Sequence, residues 1–305
     1  MTSRTRCADE ARGRGEALLG TASTVRRWLL VEQPGAWGYD ALTASELPAA
    51  VAGPLLSAAR SAGVRVLLVR RPGRSRPSTR RLLLADSGPD GPWQRQASLK
   101  DVGDLARVDL GAVFAAGGEG FGRPAPGPTF LVCTHGRHDP CCADFGRPLV
   151  RALKAAGVPR VWESSHLGGD RFAGNLLCLP HGLYFGRVAP EEGAAVVAAY
   201  RAGEIVLERY RGRSCFPMVV QAAEILSRHE LGIRGVDDLV PVAGGRRRLA
   251  PGEDAVTLRA ADGRAWTARV RTAPAGPPRL LTCRGPESTP PHYDLLSLTE
   301  SSPDG

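Results

Sequence analysis

The sequence is almost without lysine. Of 40 basic side chains in 305 residues only Lys100 and Lys154 are lysines, and the rest are arginines. The formal net charge of +9 therefore comes from arginine, in a chain that also carries 37 glycines and 25 prolines. This reads as a compositional habit rather than a surface shaped for nucleic acid. Aromatic residues make up only 6% of the chain, which removes the stacking platform that single-stranded nucleic acid needs. No nucleic-acid partner is expected. No apolar run approaches the roughly 20 residues of a membrane-spanning helix. The opening MTSRTRCADEARGRGE has no apolar core of the kind a secretory signal requires. A cytoplasmic protein without a membrane partner is the expectation. A C-x-x-C pair is also lacking, as is a G-x-G-x-x-G that follows a strand, so neither a dithiol redox motif nor a dinucleotide loop is marked.

What the chain does have is seven cysteines. In a reducing compartment, clustered thiols point to metal or redox chemistry before a disulfide framework. Four of the seven lie between Thr129 and Val188, together with four of the six histidines.

The apolar pattern divides the sequence. Residues 1–20 read as a charged, mobile leader in which Cys7 is incidental. Residues 21–115 read as an N-terminal α/β domain: strand Arg27–Glu32, helix Glu46–Ala62, strand Val64–Val69 and strand Arg81–Ala85, with an arginine- and proline-rich loop over Arg70–Arg80. Residues 116–128, AGGEGFGRPAPGP, read as a linker. A second α/β unit follows over 129–235. Its expected elements are strand Thr129–Val132, a helix from Gly146 to Ala156, strand Val161–Ser164, the hairpin Leu176–Leu179 and Leu183–Val188, helix Pro190–Ala202, and a helix within 212–231. That order is the order of a thioredoxin-type fold. Residues 236–305 read as a small antiparallel β appendage, with Ala261–Asp262–Gly263 as a hairpin turn.

The chemistry-bearing residues fall on two loops. Cys133 ends a strand, and Cys141 and Cys142 close the loop before the next helix, so Cys133 and one of that pair can converge. His166 follows the next strand, and Asp170 comes four residues later across Gly168 and Gly169. Two ligand pairs on two facing loops meet the demand of a metal centre. His135, Cys141, Gly168, Gly169 and Arg171 are expected to support it by packing or hydrogen bonding. Cys178 and Cys283 lie in apolar runs and read as small buried hydrophobes. His181 reads as a solvated turn residue.

The segments CTHGRHDPCC, ESSHLGGDRFAGN and LPHGLYFGRV resemble the sucrase/ferredoxin-like family, over about residues 18–230. The core of that family is similar to thioredoxin-like [2Fe–2S] ferredoxins. The resemblance implies a cluster bound by two cysteines and two histidines. The cysteines fall on Cys133 and Cys142. The first histidine falls on His166, and Asp170 stands where the family has the second. It implies an electron-transfer role with a redox partner protein. The residues leave open zinc at the same four side chains, Cys141 or a water as the fourth ligand, and a thiol-disulfide oxidoreductase. A glycosidase would need two paired carboxylates, and nothing in the sequence pairs Asp139, Asp144, Glu163 or Asp170.

Overall fold

The computed structural model describes residues 6–73 and 78–301. Residues 1–5 of the expected leader, 74–77 of the arginine-rich loop and 302–305 of the appendage lie outside them. The chain begins with α1 (Cys7–Gly13), β1 (Arg27–Glu32), α2 (Ala49–Ser61), β2 (Val64–Arg70), β3 (Arg80–Asp86), β4 (Trp93–Leu99), α3 (Leu110–Ala115) and β5 (Arg123–Pro124). It continues with β6 (Thr129–Cys133), α4 (Pro140–Ala155), β7 (Val161–Ser164), β8 (Leu176–Leu179), β9 (Leu183–Phe185), α5 (Gly193–Arg201), β10 (Tyr210–Arg213) and α6 (Met218–Leu231). The last part contributes β11 (Leu239–Ala250), β12 (Glu253–Ala260), β13 (Ala265–Pro274), β14 (Arg279–Leu280), β15 (Glu287–Ser288) and β16 (Pro291–Ser301).

The fold is mixed α/β. One sheet of ten strands runs in the order β10-β9-β8-β6-β7-β2-β1-β3-β4-β5. The order reads the same from either edge. In each half a parallel pair joined by a helix (β1–α2–β2, then β6–α4–β7) is extended by antiparallel strands on the side of its first strand. The halves meet where β2 and β7 pair antiparallel, through Val69 opposite Ser164 and Arg70 opposite Glu163. The segment 116–128, expected as a linker, carries β5 and buries Phe121, so it closes the outer edge of this same sheet.

Both faces of the sheet are covered, which is why its strands read as continuous apolar runs rather than alternating ones. One face of the first half packs Leu29, Leu82 and Leu84 against the α2 stripe Val51, Leu55 and Ala59. In the second half Phe130, Val132 and Leu176 pack against Leu149 and Leu153 of α4 and Val197 of α5. The opposite face is one core shared by the halves, with Trp28, Leu30 and Leu83 beside Leu131, Leu177 and Tyr184. The appendage is a separate antiparallel sheet in the order β11-β12-β13-β16. Its Val256, Leu258, Ala268 and Val270 pack on Val219, Val220 and Ala223 of α6.

Three further expectations change. Residues 7–13 of the leader form α1, with Cys7, Ala8 and Ala11 buried. The helix expected from Gly146 begins at Pro140, because Asp139 caps it through Oδ1, which accepts from the Cys141 N–H at 2.8 Å, and because proline fits a first turn. Cys141 and Cys142 thus belong to that first turn rather than to the loop before it. His181 is hydrogen-bonded rather than left to solvent, its Nδ1 lying 2.6 Å from the Tyr200 hydroxyl.

Candidate metal centre

β6 ends on Cys133, which is buried. The chain loops through Thr134–His138 and enters α4. Successive helical residues point roughly 100° apart, so Cys141 and Cys142 face different surroundings. Cys142 turns toward Cys133. The sulfurs of Cys133 and Cys142 and a ring nitrogen of His166 lie within 4.8 Å of one another. Asp170 touches two of them: its Oδ1 is 3.0 Å from Cys142 Sγ and 3.0 Å from His166 Nδ1. His138 forms a second potential ligand group with His166 and Asp170. Its ring stacks on that of His166 at 3.8 Å between centroids. The structure therefore brings together all four of Cys133, Cys142, His166 and Asp170, and adds His138. Cys141 points elsewhere, toward Cys7 and Cys283.

The donor set fits a metal. All seven cysteines are free thiols. His166 Nδ1 is buried, and although it lies close to Asp170 it has no aligned hydrogen bond. Buried ring nitrogens are ordinarily satisfied, so an orphaned one beside a carboxylate, on a ring that also meets two sulfurs, is an arrangement a cation can complete. The electrostatics agree. The Cys142 thiol hydrogen-bonds Cys133 and holds the Cys133 pKa well below the ordinary thiol value against the opposing effect of burial, with help from His166. The same pairing drives Cys142 the other way, upward. Burial pushes His166 down, but Asp170 and Cys133 outweigh it and lift the imidazole to about 9. Burial pushes Asp170 up, but His166 and Cys142 hold it low. Cys133 and Asp170 are thus both pushed toward the deprotonated form that metal binding requires.

The loop bearing His166 and Asp170 is fixed by its carbonyls. Arg65 Nη2 donates to His166 O at 2.7 Å. Leu167 O accepts from Ser23 Oγ at 2.9 Å and from the Tyr184 hydroxyl at 3.1 Å. Arg211 Nη1 donates to Gly168 O at 3.1 Å, and Asn175 Nδ2 to Gly169 O at 2.9 Å. Four successive carbonyls are therefore held by side chains from five places in the chain. Gly169 itself sits at φ 75°, ψ 55°, the left-handed region that favours glycine. A Cβ there would lie 2.2 Å from Arg211 Nη2. Arg171 supports the loop from its other side, with Nε 2.7 Å from Glu16 Oε1.

His135 has a different role from His166. Its Nδ1 accepts from the His166 N–H at 3.3 Å, which leaves Nε2 as the N–H donor to Gly38 O at 2.7 Å. Both ring nitrogens are spent. Burial lowers its pKa, consistent with this neutral tautomer. It therefore orients His166 and offers no free donor.

The sulfurs are buried, whereas the side chains of His138 and His166 are each 25% exposed. Their edges open into a cleft of about 400 Å³ whose other walls include Tyr39, Leu42, Arg65 and Leu67. Tyr39 stacks on His138 at 5.1 Å between centroids. Sequence reasoning missed Tyr39, Ser23 and Arg65. They come from residues before β6, and the β2–β7 seam and the core shared by the halves carry them to the site.

Fold and site together define a mixed α/β protein with a buried Cys/His/Asp group able to hold a metal ion. Residues 18–212 match the model of the sucrase/ferredoxin-like family, and the chain belongs to that family. Comparison with curated proteins and with solved structures finds no match. No helix among the described residues is long and apolar enough to cross a membrane.

Proposed function

We propose that the protein is an electron carrier, with Cys133 and Cys142 as ligands to one iron of a [2Fe–2S] cluster and His166 and Asp170 as ligands to the other. On this reading the second half of the sheet is a thioredoxin-like ferredoxin unit. The observation that carries the proposal is the meeting of a thiol-bearing loop and an imidazole-bearing loop, Cys133 and Cys142 facing His166, with Asp170 Oδ1 3.0 Å from both Cys142 Sγ and His166 Nδ1. Family membership supports it. When bound, such a cluster supplies reversible one-electron transfer. The chain's own residues keep the sulfur side dry, hold His166 by its backbone, and leave the imidazole edges in a cleft where a redox partner protein can approach. The rigid bracing of the His166–Gly169 carbonyls suits a centre whose ligands stay in place between two oxidation states.

Iron and acid-labile sulfide analysis, visible absorption and EPR of the dithionite-reduced protein test this. Two irons and two sulfides per chain, lost together in Cys133→Ser and His166→Ala, are expected. A colourless protein carrying zinc at these four side chains after anaerobic purification would overturn it. That is the second reading, and the tight 4.8 Å gathering of Cys133, Cys142 and His166 favours it.

A further inference from the structure

Three other potential ligands meet on the far side of the α4 N-terminus. Cys7 comes from α1, Cys141 from the first turn of α4, and Cys283 from the turn between β14 and β15. Their ligand atoms and a carboxylate oxygen of Asp139 all lie within 4.8 Å of one another. The sulfurs form a near-equilateral triangle: Cys7 to Cys141 is 3.7 Å, Cys141 to Cys283 is 3.5 Å, and Cys283 to Cys7 is 3.5 Å. Zinc with bonds of about 2.3 Å to sulfur in tetrahedral geometry separates its sulfurs by about 3.8 Å. Asp139 Oδ2 lies on the same group, 3.8 Å from Cys7 Sγ. We propose that Cys7, Cys141, Cys283 and Asp139 form a structural zinc site, distinct from the candidate cluster site, that staples the two ends of the chain onto α4.

The surroundings are built for this. Asp139 is fully buried. Its Oδ1 caps α4, and its Oδ2 accepts from Cys283 N at 2.6 Å and from Thr282 Oγ1 at 2.9 Å. One carboxylate therefore positions two of the three thiols. The Cys7 N–H points at Cys283 Sγ from 3.4 Å, the kind of N–H···S contact that stabilises a metal-bound thiolate. The ligands are also far apart in sequence, Cys7 and Cys283 being 276 positions apart. The parts they join are weak alone. α1 has 7 residues, and β14 and β15 have 2 each. Such pieces do not hold themselves together in water. Their remaining apolar contacts here are small: Ala8, Ala173, Phe145 and Leu280. A cation closing the triangle supplies what this thin contact lacks.

This proposal concerns a second site and stands or falls apart from the cluster. Zinc and iron are measured per chain, by elemental analysis, in full-length protein purified with a thiol reductant. One zinc is expected in the wild type. The pair Cys133→Ser/Cys142→Ser should keep it while losing iron. Cys141→Ser and Cys283→Ser should each lose at least nine-tenths of it while keeping the visible absorption of the cluster. A protein with no zinc, or with zinc that follows Cys133 and Cys142, would overturn the proposal. Because the single variants can misfold, cobalt(II) is also titrated into zinc-free Cys133→Ser/Cys142→Ser. The intense visible d–d bands of a tetrahedral thiolate site, displaced by one equivalent of zinc, support it. Weak octahedral bands, or a disulfide between two of the three cysteines in the freshly isolated protein with no metal bound, refute it. Chelation of zinc from the wild type should raise proteolysis within residues 6–20 and 275–290, leaving the central sheet intact.

Discussion

Gly169→Ala is the sharpest test of how the His166–Asp170 loop is held. The substitution has two costs. The first is backbone: alanine in the left-handed region is disfavoured by about 1–2 kcal/mol. The second is local. The new methyl would lie 2.2 Å from Arg211 Nη2 and 2.7 Å from its Cζ. A long side chain usually swings away cheaply, but this one cannot. Arg211 is 1% exposed, and its guanidinium is tied to Asn175 Oδ1 at 2.7 Å, Gly168 O at 3.1 Å and Thr21 Oγ1 at 3.1 Å. Moving it breaks at least one hydrogen bond to a buried charge, worth about 1.5–3 kcal/mol. Gly157→Ala is the control. It also has positive φ, 69°, but nothing lies within 4 Å of its added Cβ. The two variants share the backbone cost and any gain from a stiffer unfolded chain. Urea unfolding should therefore place Gly169→Ala about 2 kcal/mol below Gly157→Ala. Metal content per chain should fall in Gly169→Ala alone, since the displaced segment carries His166 and Asp170. Equal midpoints for the two variants would show that Arg211 does not brace the loop.

Two further outcomes follow from charge. Replacing Asp170 by His removes one negative charge from the proposed cluster's ligand set. At 4 Å and a protein-like dielectric one charge is worth about 4 kcal/mol, so the reduction potential should rise, by an amount of order 0.1 V; a fall in redox titration would refute the charge argument. In the appendage, burial pushes Asp254 upward, but hydrogen bonds from Arg246 at 2.8 Å and Arg248 at 2.9 Å prevail and hold it low. A lowered carboxyl contributes stability above its unfolded pKa of about 3.9 and loses it as pH falls through the folded value. Asp254→Asn should therefore melt lower than wild type at pH 7, by about 1 kcal/mol in stability, with the gap narrowing as pH falls below about 4 through the lowered folded value; a gap that does not narrow at all on acidification would mean the ion pairs are not its source.

Strands buried on both faces were the most legible part of the sequence. Arg27–Glu32 holds the apolar run Trp28–Val31, Leu176–Leu179 is apolar throughout and Val161–Ser164 starts on Val161 and Trp162, and the structure has strands with those limits. Trp93–Leu99 was not legible, because WQRQASL has three polar residues in a row and buries two of them, Gln94 and Gln96, so it shows neither an apolar run nor an alternating pattern. The start of α4 was readable in principle: Asp139 before Pro140 is a capping residue before a first-turn proline, although Pro148 further on offers a competing start. Cys133, Cys142, His166 and Asp170 stood out because they share two short loops. Cys7 and Cys283 did not, because nothing local tells a buried thiol from one that meets a partner at the other end of the chain. Arg65 and Tyr39 were invisible for a related reason: their contact with His138 and His166 depends on how the two halves of the sheet join.

That seam has a consequence for anyone who would divide the molecule. Past Ser164 the chain runs along the first half, with Ser165 N donating to Leu68 O at 2.8 Å and Ser165 Oγ accepting from Leu68 N at 3.1 Å. The imidazole of His135 leans on the Gly38 carbonyl, also from the first half. Cut away from residues 21–115, the cysteine-bearing half would retain its ligands and lose the wall that aims them. The cysteine-poor half is thus one jaw of a vice whose other jaw holds the chemistry.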